Sequence, residues 1–447
     1  MSAPTPARRA AYETLRRVFE EDAWADRALP AAAARLRLEG RDRAQAQALA
    51  YGAVQRRGTT DHLVKVLADR PAERIDAPLL AALRLGLYEL LFASGGADHA
   101  AVDQAVALAK GRGGHRHGAG LVNAVLRRAA RERERLLASL DDADPAAAAV
   151  AHSVPPWLAE LWWRELGPND ARALLAAVNE PPEQALRANG LRGDRDAALA
   201  ALHEAGVKAR PAEPGQPPAP AGSIVITGGD RGQVEGLVAA GIVVPQSRAS
   251  AAVVEVLAPE PGERVLDLCA APGAKAAQIA AAIGGAGAGL VAVERHPGRA
   301  RELRATLERA GAGAATVECR DAAGPPSGTF DAVLVDPPCS GLGTLASRPD
   351  ARWRRDPKAF AAMADQATRI LERALAATVP GGRVVYSTCT ISRDENEEVA
   401  TAVPARVADL GADPALAPLA APTDSRFLQT RNDRDGTDGF FVAALEP

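Results

Sequence analysis

Cys339 and Cys389 are the residues of this 447-residue chain whose type and setting are best suited to chemistry. Cys339 stands in Asp336-Pro337-Pro338-Cys339-Ser340, and Cys389 in Tyr386-Ser387-Thr388-Cys389-Thr390. Each follows an apolar run, Val333-Leu334-Val335 in one case and Val384-Val385 in the other. In an open α/β sheet the carboxyl ends of parallel strands line the ligand crevice, so both thiols would face one site. A thiolate there is a nucleophile. A cysteine is also often no more than a small buried hydrophobe, and for either thiol alone that reading stands level with the chemical one.

A third stretch tips the balance. Val265-Leu266-Asp267-Leu268-Cys269-Ala270-Ala271-Pro272-Gly273-Ala274-Lys275 reads as a buried strand, a tight turn of small residues and then a helix over about 276–283. Small residues let backbone approach a ligand, and a helix amino terminus offers free N–H groups. The next strand, Leu290-Val291-Ala292-Val293, ends at Glu294, twenty-one residues after Gly273. That is the spacing at which an acid accepts hydrogen bonds from ribose hydroxyls. Thr316-Val317-Glu318-Cys319 leads to Asp321, and Phe330–Val335 leads to Asp336. Successive strands ending in small turns or acids point to an adenosine-type cofactor.

These three motifs, in this order, resemble those of the RNA 5-methylcytosine methyltransferases, D-x-C-A-A-P-G-G-K, D-[AP]-P-C-S and [YF]-[SA]-T-C. The agreement covers about 200 residues at the carboxyl end. Two departures stand out: Ala274 replaces the second glycine of P-G-G-K, and Ala276 the threonine that often follows the lysine. The resemblance implies S-adenosylmethionine as methyl donor, with Cys269, Ala270, Ala271, Pro272, Gly273, Ala274 and Lys275 cradling its tail. It places Glu294 at the ribose, Asp321 at the adenine, and Asp336 at the base and the cofactor edge. It assigns nucleophilic attack on C6 to Cys389 and product release to Cys339. Ser392-Arg393-Asp394-Glu395 reads as a capping box, so a helix dipole could favour thiolate at Cys389.

The positioning elements fall into three parts: residues 1–140, 150–250 and 251–447. The first reads as helices throughout, with Ala10, Leu15, Val18 and Phe19, then Leu63, Val64 and Leu67, then Leu79, Leu80, Leu83 and Leu87 at helical spacing. Leu83–Leu91, His99–Asp103 and Val122–Leu126 resemble the antitermination factor NusB family, whose fold binds RNA. Charge agrees. Residues 1–140 hold 23 Lys+Arg against 16 Asp+Glu, and the rest 30 against 40. A basic appended domain is expected to dock on polyanion. Arginine outnumbers lysine 48 to 5, so a lysine carries more information, and Lys275 is one of the five.

After the break at Asp141–Pro145, Val154-Pro155-Pro156-Trp157-Leu158 starts a helix in which Trp162 and Trp163 suggest a packing anchor. Strands at 185–189 and 223–226, a helix over 194–206 and a solvated loop over 211–222, with prolines at 211, 214, 217, 218 and 220, make a small α/β part. It looks like the RNA-contacting subdomain of the same methyltransferases. Their V-Q-D-x-A-S segment is Pro245-Gln246-Ser247-Arg248-Ala249-Ser250 here, with serine in place of the aspartate. Arg352, Trp353, Arg354 and Arg355 suit either stacking on single-stranded RNA or a charged helix start packed by one tryptophan. Asp438–Ala443 reads as a closing antiparallel strand.

The expected fold is multidomain: an all-α NusB-like bundle, a small α/β RNA-contacting subdomain and a Rossmann-like S-adenosylmethionine-dependent methyltransferase domain. Together these resemble the bacterial 16S ribosomal RNA (cytosine-C5)-methyltransferase B (Sun/Fmu) family, implying 16S ribosomal RNA as substrate. The same chemistry on transfer RNA, or a non-catalytic antitermination factor, are the alternatives. No apolar run approaches a membrane span of about 18 residues, and no secretory signal is evident at the amino terminus. Four scattered cysteines without a C-x-x-C pair speak against a zinc or disulfide framework. A cytoplasmic monomer without a metal is expected.

Overall fold

The computed structural model describes residues 3–93, 97–111, 118–213 and 215–447. These divide into two units, 1–180 with 345–355, and 181–344 with 356–447.

The first unit is helical, as its apolar spacing dictates. Thr5 caps the helix Pro6–Glu20 by accepting from the Arg8 N–H, and proline at the first turn needs no partner for the N–H it lacks. That helix buries Ala10, Leu15 and Val18. Helices Arg57–Ala68 and Ala77–Leu91 bury the leucines and valine of the sequence pattern. Helix Ala119–Arg131 buries Val122, Val125 and Leu126 and ends in Arg128 and Arg131. Asp144 caps Pro145–Ala151, and in Pro156–Leu166 the indole of Trp162 is fully buried while Trp163 lies beneath the Arg172 guanidinium.

Residues 345–355 belong to this unit, which decides between the two readings of the arginine-tryptophan segment. Arg352 is completely buried, and its guanidinium donates to the carbonyls of Ser153, Val178 and Leu345 and to Asn179 Oδ1. Trp353 Nε1 donates to the Val54 carbonyl at 2.9 Å. Four acceptors around one buried cation make this segment a packing element.

In the second unit, strands β1 (Ala185–Ala188), β2 (Lys208–Pro211), β3 (Ser223–Gly228) and β4 (Val243–Pro245) form an antiparallel sheet in the order β2-β3-β1-β4. β2 escapes the sequence pattern because Lys-Ala-Arg-Pro has no apolar alternation. It is an edge strand, where proline is tolerated. It also takes Pro211 out of the expected loop, while Pro214 lies outside the described residues. Ser247 caps the helix Arg248–Leu257 by accepting from the Ser250 N–H, a role serine fills as well as aspartate.

The large sheet contains β5 (Val265–Leu268), β6 (Leu290–Val293), β7 (Thr316–Glu318), β8 (Phe330–Val335), β9 (Thr378–Thr388), β10 (Arg406–Val407), β11 (Leu428–Gln429) and β12 (Phe441–Glu446). Its order is β10-β12-β9-β8-β5-β6-β7, with β11 paired to β12. β5 to β9 are parallel, and β12 runs antiparallel to β9, Phe441 opposite Thr388, as the closing strand. Side chains alternate between two cores: Leu266, Leu268, Val333 and Val335 pack on one face, Val265, Ala292, Ala332 and Leu334 on the other. Burial on both faces explains why these strands read as continuous apolar runs. The chain leaves β5 toward β6 and β7, then returns to β8 on the other side. That makes the ends of β5 and β8 the switch point where ligands bind.

Candidate active site

The turn after β5 is built by backbone conformation. Cys269 and Gly273 both take positive φ, 71° and 111°. A Cβ on Gly273 would sit 3.0 Å from Leu303 Cδ1 and Thr306 Cγ2, so a side chain there is both strained and crowded. Ala274 opens the helix Ala274–Ile283 with a negative φ, and Ala276 is packed within it. The two departures from the family motif therefore fall where the backbone makes no demand for glycine. The left-handed step belongs to Gly273.

Lys275, in the first turn of that helix, reaches across to the end of β8. Its Nζ is 2.7 Å from Asp336 Oδ2 and 4.8 Å from the centroid of the buried Phe440 ring. Burial alone would lower the Lys275 pKa, but the Asp336 charge and hydrogen bond, with Cys389 behind them, raise it above its ordinary value. Asp336 Oδ1 accepts from Ser387 Oγ at 3.4 Å.

Both thiols meet beside this pair. Cys339 Sγ lies 3.5 Å from Cys389 Sγ, and both residues are part-buried. The S–H···S contact with Cys389 pushes the Cys339 pKa well above that of an ordinary thiol, helped by burial and by the charges of Cys389, Glu395 and Asp336. Cys339 thus stays protonated. Cys269 is also raised, chiefly by burial and then by Asp336, Asp267 and Glu294. The fourth cysteine, Cys319, is exposed.

No capping box is formed at 392–395. Ser392 Oγ makes no hydrogen bond among the described residues, a 3-10 turn occupies Arg393–Glu395, and the helix Glu397–Ala402 starts eight residues after Cys389. A dipole acts only within the first turn. The charge acting on Cys389 is therefore that of Lys275, not a helix end. Glu395 turns inward instead and takes both the N–H and the O–H of Ser340.

Along the neighbouring strand ends lie the residues expected at the cofactor. Glu294, 3% exposed, accepts from the His296 N–H at 2.8 Å and faces Arg299 at 3.4 Å. Arg299 also donates to the Ala271 carbonyl at 3.0 Å, tying the β5 turn to the β6 end. Ala270 N donates to Val293 O, a second tie. Asp321 is exposed in the loop after β7, its Oδ1 accepting from Ala323 N. The structure thus joins Cys339 to Cys389 and Lys275 to Asp336 by direct contact, couples the two pairs electrostatically, joins the 269–275 turn to Glu294, and leaves Asp321 on the next loop. Arg299 and the role of Phe440 escaped the sequence reading, since a lone arginine or phenylalanine carries no signal, and Glu395 was read only as part of a capping box.

Residues 254–446 match the family described as 16S rRNA methyltransferase RsmB/F, 5–131 the NusB family, and 154–217 the ferredoxin-like domain of the RsmF/B-like methyltransferases. The ribosomal RNA small subunit methyltransferase B of Pseudomonas putida is 33% identical over 446 residues, covering 98% of each chain. The chain belongs to the RsmB/F methyltransferase family. A Mycobacterium tuberculosis protein, MT1451, is 37% identical over 454 residues, covering 98% of this chain and 96% of its own. The Thermus thermophilus ribosomal RNA small subunit methyltransferase B is 35% identical, covering 91% and 89%. The solved structure of PH0851 shares the fold over all of both chains, with a TM-score of 0.80 at 24% identity.

Membership makes this an RNA methyltransferase that uses S-adenosylmethionine. The residues fit that cofactor: an uncapped helix amino terminus, a turn closed to side chains at Gly273, and a buried acid at the next strand end. Among the described residues no helix is long and apolar enough to cross a membrane.

Asp267, inside β5, is 1% exposed, and its Oδ2 has no hydrogen-bond partner among the described residues. Burial, then the Asp336 charge, raise its pKa to about 8 against the opposing pull of Lys275. The folded state then holds a proton that the unfolded chain loses near pH 4. Stability contributed by that proton is present below pH 4 and falls as pH rises toward 8. Asp267→Asn, which mimics the protonated acid, is expected to flatten this decline. Denaturant unfolding at pH 5 and pH 8 checks it, and equal pH dependence in the two proteins would show that Asp267 is not the group responsible.

Proposed function

We propose that this enzyme methylates C5 of cytosine in 16S ribosomal RNA through a covalent adduct between Cys389 and C6. The observation that carries the reading is the 3.5 Å approach of the two thiols beside the Lys275–Asp336 pair. Cytosine C5 is a weak nucleophile in an intact ring. Adding the Cys389 sulfur to C6 makes C5 enamine-like, a hard step divided into easier ones. S-adenosylmethionine supplies an electrophilic methyl group. Asp336 holds the base at N3 and, with Lys275, keeps its carboxylate at the strand end. Bonding of Cys389 to C6 removes the contact and charge that hold the Cys339 proton. Cys339 then gives that proton to solvent, its thiolate takes the C5 proton, and the C5–H electron pair reforms the C5–C6 double bond as Cys389 leaves. The turn 269–275 holds the cofactor tail, Glu294 its ribose and Asp321 its adenine.

Cytosine must be unpaired or extruded to meet the thiol. We assign capture of the RNA to the basic residues 1–140 and to the small α/β part within 150–250, with 251–447 carrying the reaction. The purified full chain, given labelled S-adenosylmethionine and either 16S ribosomal RNA or transfer RNA, is expected to yield 5-methylcytidine from the ribosomal RNA. Label on another atom would refute the chemistry. Label on transfer RNA alone would refute the substrate.

A further inference from the structure

Glu395 links the two cysteine loops. It is 1% exposed, and its two carboxylate oxygens accept from two donors of one residue, the Ser340 N–H (2.7 Å) and the Ser340 O–H. Ser340 follows Cys339 directly. With its O–H donated to Glu395, Ser340 Oγ accepts from the Thr390 O–H, 2.6 Å away, and Thr390 follows Cys389. The Glu395 backbone is fixed in turn, since its carbonyl accepts from Tyr386 O–H and the neighbouring Asn396 donates to the Thr390 carbonyl at 3.2 Å. The Gly343 N–H bonds the Cys389 carbonyl at 3.0 Å. A carboxylate bound to two donors gives stronger, more directional bonds than a neutral acceptor.

We propose that Glu395 is a positioning residue for the methyl transfer, holding the Cys339 loop against the Cys389 loop so that the two sulfurs stay in register through the reaction. This deepens the cytosine C5 reading and rests on it for the step affected, release of Cys389 from the methylated base. Cys339 is faced by Cys389, Asp336, Tyr386 and Glu395, and Lys275 lies behind Asp336. Glu395 is thus one of the negative charges that keep the Cys339 proton in place.

The test uses the full-length Glu395→Gln variant, which preserves shape but removes the charge and one acceptor, with Glu395→Asp as the variant that keeps the charge and shortens the reach. Three measurements are compared with the unsubstituted protein: turnover, RNA-linked protein on denaturing gels, and the pH dependence of iodoacetamide labelling at Cys339 and Cys389. Turnover is expected to fall about 100-fold in both, the size of loss that ~1 Å of misplacement brings. RNA-linked protein is expected to accumulate, and in Glu395→Gln the labelling of Cys339 is expected to begin at lower pH. Cooperative unfolding should persist. A role confined to stability predicts altered unfolding with labelling and adduct unchanged, and that result would overturn the proposal. Shifted labelling without any RNA adduct in either protein would support the hold on Cys339 while refuting the covalent cytosine reading.

Discussion

Cys389→Ala is expected to abolish both methyl transfer and any covalent RNA adduct, because no sulfur remains to attack C6. Cys339→Ala is expected to do something different. Attack and methylation remain possible, but loss of the C5 proton is hindered, and the enzyme stays bonded to its RNA after one turnover. On a denaturing gel that species runs slowly and disappears with nuclease. The asymmetry has a physical basis. The Cys339 thiol is held protonated by its contact with Cys389, by burial and by the charges of Cys389, Glu395 and Asp336. Cys389 interacts with the Lys275 charge and lies 3.5 Å from the Cys339 sulfur. A thiolate is the competent nucleophile, and a nearby cation favours it. Adduct accumulating in Cys389→Ala instead would exchange the two roles. Activity in both variants proportional to remaining fold would reduce the pair to packing.

The second large effect is expected at Lys275. Lys275→Met keeps much of the side-chain bulk but removes the cation that binds Asp336 and faces Cys389. Two consequences follow. Asp336 loses its ion pair at a part-buried site, and the Cys389 sulfur loses the positive charge that makes its ionised form favourable. Methyl transfer is expected to fall by about 100-fold or more, comparable to loss of one charge-stabilising group in other active sites. Iodoacetamide labelling of Cys389 should shift to higher pH. Lys275→Arg should recover part of that shift, since it restores charge with a wider head group against Phe440. If Lys275→Met unfolds normally, labels Cys389 at the original pH and still transfers methyl groups, the electrostatic role assigned to Lys275 is wrong.

Much of this site was legible one strand at a time. Val265–Leu268, Leu290–Val293 and Phe330–Val335 are mostly apolar, broken only by Asp267 and Asp331, because parallel strands bury both faces, and a reactive residue at such a run's end must lie at the sheet's carboxyl edge. That places Cys339, Asp336, Lys275 and Glu294 near one another before any coordinate is known. The glycine that must not be replaced was harder to find. The motif suggested two, and the backbone reserves its positive φ for Gly273 while Ala274 begins an ordinary helix.

Local sequence pattern failed where partners are distant along the chain. Ser392 to Glu395 carries the letters of a capping box, yet Glu395 bonds Ser340, 55 residues earlier. Arg352 and Trp353 resemble an exposed RNA-stacking group, yet their partners are Ser153, Asn179 and Val54, up to 299 residues away. Arg248 looks like any helix-start arginine, but it is 1% exposed and held by Glu183 and by the carbonyls of Gln216, Pro218 and Asp435. A guanidinium or carboxylate can be buried only where donors and acceptors converge. The apolar strand runs, the helical spacing and the family motifs were determined by the sequence alone, because they depend on periodicity and neighbours within a few residues. Which polar groups are buried, and therefore that the Cys339 thiol is pushed up, was decided by the tertiary structure, because desolvation and field depend on what folding brings within a few ångströms.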